Sequence, residues 1–280
     1  MNIKICSDST CDLSKEIVEK YNIEILPLTV VKGGDTYLDN VNITPADIFA
    51  HVAAGGDLCS TTALNIEEYT ECFSKFCGEY DGIIHINISS EFSSCHQNAR
   101  LAAEDFENVR VVDSRNLSTG QGLVVLKACE LAKTCESLDE IYDQLVAFTE
   151  KVEASFLLDQ LKYMVKGGRC SAVAALGANL LNLKPCIEVK NGKMGVVKKY
   201  RGSFSKCVDS YTKDRLADPN RVEHTTLAFP HTLLENGDLA AAMHAAEGYG
   251  PFENVLDAKA GCTVSCHCGP GTLGIVCLRK

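Results

Sequence analysis

The feature that most narrows the possible folds is an alternation of two periods. Through residues 1–150, short apolar runs of strand type give way to longer segments with apolar residues every three or four positions. Ile3 and Ile5 open the first run, which ends at Ser7-Asp8-Ser9-Thr10. A helix follows through Tyr21, with Leu13, Ile17 and Tyr21 on one face. Residues 23–31, IEILPLTVV, read as a second strand, with Pro27 marking an edge or irregular position. Thr44-Pro45-Ala46-Asp47 opens a helix with a capping hydroxyl, a proline in the first turn and an acid three residues on. Asn65 and Glu68 repeat that logic, and Ser137 and Glu140 make a further capping box. Strands are predicted at Gly82–Ile88 and Val109–Val112, and helices over 94–106, from Thr119, and from Ser137 to near Val152. This βαβα order predicts a mainly parallel sheet with helices on both faces.

The remainder reads differently. Phe156–Leu158 is a short strand, followed by a helix, the stretch KGGRC, and a helix rich in Ala and Leu over 171–181. Asn191-Gly192 between alternating runs predicts a hairpin. Helix, strand, helix and strand complete the chain, which predicts an α+β unit with antiparallel pairing. The expected architecture is therefore α/β over 1–158 and α+β over 159–280.

Charge and composition exclude some partners. A net charge of −10 argues against nucleic acid, because phosphate binding needs a basic face. No apolar run is long enough to predict a membrane span. The opening MNIKICSDST is too polar for a signal peptide, so a cytoplasmic protein is expected. The 15 cysteines are scattered and odd in number, which predicts reduced thiols used as small hydrophobes. Cys266 and Cys268 flank His267, but no second pair stands at zinc-site spacing, so no metal is expected. Neither a G-x-G-x-x-G nor a G-x-x-x-x-G-K-[ST] loop occurs, so no nucleotide cofactor is expected.

Ligands of open α/β sheets sit beyond the carboxyl ends of the strands. Hydroxyl-rich segments fall there: SDST at 7–10, SSEFSS at 89–94 and DSRNLSTGQG at 113–122, with LCSTTALN at 58–65 as a fourth. Each has two readings. A helix start needs one capping hydroxyl, whereas free N–H groups and several hydroxyls hold a carboxylate or phosphate. Serial hydroxyls at both 60–62 and 89–94 favour a bound polar head group. Nucleophilic chemistry is disfavoured: no G-x-S-x-G elbow occurs, and Cys95 and His96 are adjacent on a helix, about 100° apart. Arg169 in KGGRC either forks onto an anion or follows a helix C-cap at the surface. His267, before the GPG bend, either faces a cleft or is a satisfied structural residue.

Taken in order, eight blocks resemble the DegV family of fatty-acid-binding proteins over nearly the whole chain. They are SDSTCDL, IEILPLTV with the following Gly-Asp-Thr-Tyr, STTALNIEEY, ISSEFSSCHQNA, VVDSRNLSTGQG, LKYMVKGGRCS, LNLKP and HCGPGTLG. The resemblance implies two α/β-type domains with one long-chain fatty acid in a buried tunnel between them. It implies that hydroxyls hold the carboxylate. By motif position Thr61 and Ser93 match the family's head-group residues, with Thr62 and Ser94 beside them. His267 matches the family histidine near the head group, and Arg169 the arginine of the GGR block near the mouth. The departures cluster in the head-group segments. Ser94-Cys95-His96 stands for Gly-Thr-Tyr, Phe92 for Leu, and Ala63-Leu64 for Gln-Pro.

For bacterial members the resemblance implies a non-catalytic role. A separate dihydroxyacetone-kinase-like fatty acid kinase phosphorylates the bound lipid, and the acyl phosphate feeds phospholipid synthesis. Arg169 and Arg201 are the expected kinase contacts, and Phe92, Phe204 and the segment 176–183 the expected tunnel end. Two other readings stand beside it. One is a lipid carrier or sensor without a kinase. The other is an independent enzyme on a small phosphorylated or carboxylated metabolite, using Asp8, Ser9, Arg169 and His267.

Overall fold

The computed structural model describes residues 1–176, 183–218, 220–234 and 237–280. The chain runs β1 (Ile3–Asp8), a single 3-10 turn (Ser9–Cys11), α1 (Lys15–Tyr21), β2 (Glu24–Leu26), β3 (Thr29–Lys32), β4 (Asp35–Leu38) and α2 (Pro45–Ala53). It continues through β5 (Ser60–Thr62), α3 (Ile66–Cys77), β6 (Gly82–Asn87), α4 (Cys95–Ala103), β7 (Val109–Asp113), α5 (Ser118–Leu131) and α6 (Leu138–Thr149). Then come β8 (Val152–Leu158), α7 (Leu161–Gly167), α8 (Ser171–Ala174), β9 (Leu183–Lys190), β10 (Lys193–Arg201) and α9 (Phe204–Leu216). The last elements are β11 (Val222–His231), α10 (Asp238–Glu247), β12 (Asn254–Lys259), α11 (Cys262–Cys268) and β13 (Thr272–Arg279).

The first sheet has the order β2-β1-β6-β7 and is parallel throughout. Its central strand β6 is buried at every position, as expected of a strand covered on both faces. The predicted strand over 23–31 is instead two strands in two sheets. Proline has no N–H to continue the ladder. The chain breaks at Pro27, so β2 pairs with β1 while β3 joins a three-stranded antiparallel sheet, β4-β3-β5. That turn of the chain carries Thr61 and Thr62 of β5 to the carboxyl side of the parallel sheet.

The six-stranded sheet has the order β10-β9-β8-β13-β11-β12, antiparallel except for β11 with β12. β8 is seven residues long and fully buried, longer than the predicted Phe156–Leu158. The sheet therefore changes between β7 and β8, ahead of position 158. Asn191 and Gly192 take φ values of 53° and 78° at the β9–β10 turn, the left-handed pair that a tight hairpin requires. Of the three capping boxes predicted from sequence, two form reciprocally, at Thr44 with Asp47 and at Asn65 with Glu68. At the third, Ser137 accepts from the Glu140 N–H, but the Glu140 carboxylate accepts from the Glu136 N–H instead of that of Ser137. The helix over 171–181 begins as α8, and 177–182 lie outside the described residues. α4 ends at Ala103 and α1 begins only at Lys15, so both are shorter than predicted.

One buried cluster joins the two sheets. Ile84, Ile86, Val112 and Val124 of the first half share it with Ala154, Phe156, Val264 and Cys268. Phe204 packs against a separate cluster with Val208, Tyr211 and Phe229, and so does not share the cluster that joins the two sheets. All fifteen cysteines are free thiols and fourteen are buried. Among the described residues no helix is long and apolar enough to cross a membrane.

Candidate functional site

Seven stretches of the chain line a cavity of about 340 Å³ between the two halves. Its wall includes Thr61, Thr62, Ser93, Ser94, Arg169 and His267, which are all six residues singled out from the sequence. Apolar side chains complete it, among them Leu28, Ile88, Phe92, Met164, Met194 and Val264. Leu117, Val264 and Cys268 also line a smaller cavity of about 30 Å³, with Ala154, Phe156 and Val276. Polar groups thus gather in the larger chamber, and the wall shared with the smaller one is apolar.

α11 brings His267 to this place, and the N-terminal half holds α11. The Gly261 N–H donates to Asp12 Oδ1 at 2.9 Å and the Cys262 N–H to Asp39 Oδ1 at 2.8 Å. The Thr263 N–H reaches Asp39 Oδ2 at 3.3 Å. Two carboxylates from segments near β1 and β4 therefore satisfy the otherwise open N–H groups of this short helix. Ser9 Oγ donates to Asp39 Oδ2 at 2.9 Å and fixes that carboxylate in turn.

His267 Nε2 lies 2.8 Å from Thr61 Oγ1. Burial, and then the charge of Arg169, pushes the imidazole pKa down to about 4, so the ring is neutral at pH 7. Its Nδ1 is shielded and unpartnered. Gly167 packs directly on it: a β-carbon there would stand 2.4 Å from Nδ1. An orphaned N–H is rarer in folded proteins than an unmet acceptor. On that ground the proton is assigned to Nε2, which donates to Thr61 Oγ1. The Thr61 hydroxyl proton is then free for an acceptor in the cavity.

The serines of 89–94 divide into two pairs. Ser89 Oγ donates to the Gly192 carbonyl at 2.8 Å and Ser90 Oγ to Asp113 Oδ2 at 2.6 Å. Those two tie the loop down. Ser93 Oγ accepts from the Cys95 N–H at 3.3 Å and donates only to the Cys95 thiol, 3.1 Å away. Sulfur is a weak acceptor, so this hydroxyl turns readily to a better one. Ser94 occupies the N-cap position of α4 yet makes no side-chain cap bond. The plain capping reading therefore fails for Ser94 and holds only in part for Ser93.

Arg169 donates from Nε to the Phe92 carbonyl at 3.3 Å and from Nη1 to the Gly167 carbonyl at 2.5 Å. It makes no ion pair with a carboxylate among the described residues, and it is exposed at the rim. Burial drives the Cys95 pKa up, which keeps the thiol protonated and a poor nucleophile. Asp8 and Ser9 do not join this site. Asp8 is fully buried beneath β1, where it accepts from the Ile88 N–H at 2.9 Å and Gln121 Nε2 at 2.9 Å. The four residues Asp8, Ser9, Arg169 and His267 are thus not assembled around one space. Among the described residues no group of three or more His, Cys, Asp or Glu is placed to hold a metal.

Sequence reading missed Asn98 and Thr263, which also line the chamber. Both carry a usable signal. Asn98 lies four residues after Ser94 on α4, and Thr263 four before His267 on α11, so each shares a face with a residue already chosen.

Comparison with known proteins adds independent findings. A DegV domain-containing protein of Clostridium acetobutylicum is 33% identical over 99% of this chain and 99% of its own length. One from Clostridium perfringens is 31% identical over 96% of this chain and 95% of its own. Among solved structures, a DegV family protein from Thermus thermophilus described by its fatty acid binding superposes with a TM-score of 0.91 at 28% identity, with both chains fully covered. DegV of Bacillus subtilis, described as a fatty acid binding protein, gives 0.83 at 26%, again over the whole of both chains. A stearic acid-binding protein of Eubacterium ventriosum gives 0.82 at 26%, over 99% of this chain and 98% of its own. The family model for the uncharacterised DegV proteins matches residues 2–280. With this match and a relative 33% identical from end to end, the chain belongs to the DegV family.

Proposed function

We propose that this chain binds one long-chain fatty acid, with its carboxylate in the polar chamber and its tail along the apolar wall formed by Leu117, Val264 and Cys268. The observation that carries the reading is one chamber in which hydroxyls and a neutral histidine stand beside Leu28, Ile88, Phe92, Met164 and Val264. A buried carboxylate is costly unless it collects several hydrogen bonds. Thr61, Thr62, Ser93 and Ser94 supply donors, His267 orients Thr61, and Arg169 lends charge from the rim. Each buried methylene adds roughly 0.8 kcal/mol, so the tail dominates affinity. The solved relatives described as fatty-acid or stearic-acid binding support the ligand class.

The protein presents this lipid in the cytoplasm to a separate dihydroxyacetone-kinase-like kinase, which forms an acyl phosphate for phospholipid synthesis. The resemblance of the motifs supports this step. Fifteen free thiols fit a reducing compartment. The test has two stages. Native mass spectrometry of the purified protein is expected to show a non-covalent adduct with the mass of a long-chain fatty acid. A protein that carries none and takes up none would overturn the ligand. Addition of the kinase and ATP is then expected to yield acyl phosphate only when this protein is present. Bound lipid without acyl phosphate would leave a carrier or sensor.

A further inference from the structure

Among the described residues, Thr263 is the one in the chamber wall whose hydroxyl is both buried and unpaired. The residue is 5% exposed, its Oγ1 has no hydrogen-bond partner, and it lines the same cavity as Thr61, Ser93 and His267. A hydroxyl left unpaired in the interior is costly, because it has given up its hydrogen bonds to water and gained none. Threonine inside a helix usually escapes that cost by donating to the carbonyl four residues back. Thr263 has no such helical carbonyl, because α11 begins at Cys262. Its backbone N–H is already held by Asp39, so the side chain is not needed as a cap. Ser265 on the same helix is also buried and unpaired, but it does not line the cavity.

The position of Thr263 says what its partner is. It lies one turn before His267 on the same face of α11. It is absent from the smaller, apolar cavity, whose wall takes Val264 and Cys268 from this helix. The residue therefore lines the head-group chamber and not the smaller cavity, and its shielded hydroxyl reaches the chamber by turning about the Cα–Cβ bond. A carboxylate offers about four acceptor positions and stays ionised in a buried site only if two or three donors reach it. Thr61 provides one proton once His267 Nε2–H donates to it, and Ser93 a second on turning from the Cys95 thiol. We infer that Thr263 is a further carboxylate-binding residue, donating its hydroxyl proton to an oxygen of the bound fatty acid. This assignment rests on the fatty-acid reading above.

The experiment uses full-length protein stripped of lipid and then loaded with palmitate labelled with carbon-13 at the carboxyl. Affinity and the carboxyl resonance as a function of pH are read for the parent protein, Thr263→Val and Thr263→Ser. Thr263→Val keeps the shape and removes the hydroxyl. It is expected to weaken binding about tenfold, the loss of one hydrogen bond to a charged group, and to raise the pH at which the bound carboxyl protonates. Thr263→Ser is expected to restore both. Should Thr263→Val misfold, Thr263→Ala carries the same comparison with Thr263→Ser. An affinity within twofold of the parent and an unchanged carboxyl titration would overturn the assignment while leaving the fatty-acid reading intact. A parent protein that takes up no palmitate or other long-chain fatty acid would overturn both.

Discussion

Two hydroxyl-rich junctions at the carboxyl side of the same parallel sheet have opposite uses. At 7–10 every hydroxyl is satisfied inside the protein. Ser7 Oγ donates to the Ile86 carbonyl at 2.9 Å, Ser9 Oγ to Asp39, and Thr10 Oγ1 is bonded to Asp8 and to Gln121. All four residues are fully or nearly fully buried. At 61–62 and 93–94 the residues line a cavity with loose ends: among the described residues Thr61 Oγ1 meets only His267, and Ser94 makes no cap bond. Serial hydroxyls after a strand are thus one sequence signal with two outcomes. The difference lies in what the rest of the fold brings to meet them. Over the first junction it brings Gln121 of α5 and Asn87 of β6, and over the second it leaves a space walled by α7 and α11.

Breaking the satisfied junction should have the largest effect. Asp8→Ala leaves the Ile88 N–H without an acceptor and takes one acceptor each from Asn87 and Gln121 in a fully buried place. A stability loss of about 4 kcal/mol is expected by urea unfolding, the range for breaking a buried charged network. Breaking the open junction should spare the fold and cost the ligand. Thr61→Val with Ser93→Ala is expected to lower fatty-acid affinity about 100-fold, with a stability change under about 1 kcal/mol. Equal losses of stability in the two variants would erase the distinction.

Acid should weaken the fold through the buried histidines. Burial, then His96, holds His85 down to about 3, and burial, then Arg169, holds His267 down to about 4, against an ordinary value of 6.5. Between pH 6.5 and 4 the unfolded chain binds protons that the folded chain refuses, so stability falls as pH falls through that window and is fully present above it. His267→Gln removes one of the two groups. It should flatten the loss between pH 6.5 and 5 by about 2 kcal/mol in pH-resolved unfolding. The smallest effect compares two cap positions. Ser137 Oγ accepts from the Glu140 N–H at 3.1 Å, whereas Ser94 makes no such bond. Thermal unfolding should show about 1 kcal/mol lost in Ser137→Ala and less than about 0.5 kcal/mol in Ser94→Ala. An equal loss would mean that Ser94 is an ordinary cap after all.

Much of the fold was legible because local rules wrote it. The two capping boxes, the Asn191-Gly192 hairpin and the parallel first sheet follow from residues within a few positions of each other, or from a strict βαβα order. Misreadings arose where pairing overrides local pattern. IEILPLTVV looks like one strand until Pro27 sends its halves to different sheets. Phe156–Leu158 looked short because β8 gains Val152–Ser155 from its ladder with β13. Phe204 was apolar and well placed in sequence, yet its helix packs on the far core.

The sequence by itself determined the types of element, the hydroxyls available at each strand end, and six residues that meet at one cavity. Periodicity and capping are short-range physics, and short-range physics can be read along a chain. Only the tertiary structure decided which hydroxyls are already satisfied and which still need a partner. That choice depends on groups far apart in sequence: Gln121 beside Asp8, Asp39 beneath α11, and Gly167 against His267. A hydrogen bond forms or fails within a few tenths of an ångström, and no spacing in a sequence carries that precision across a hundred residues.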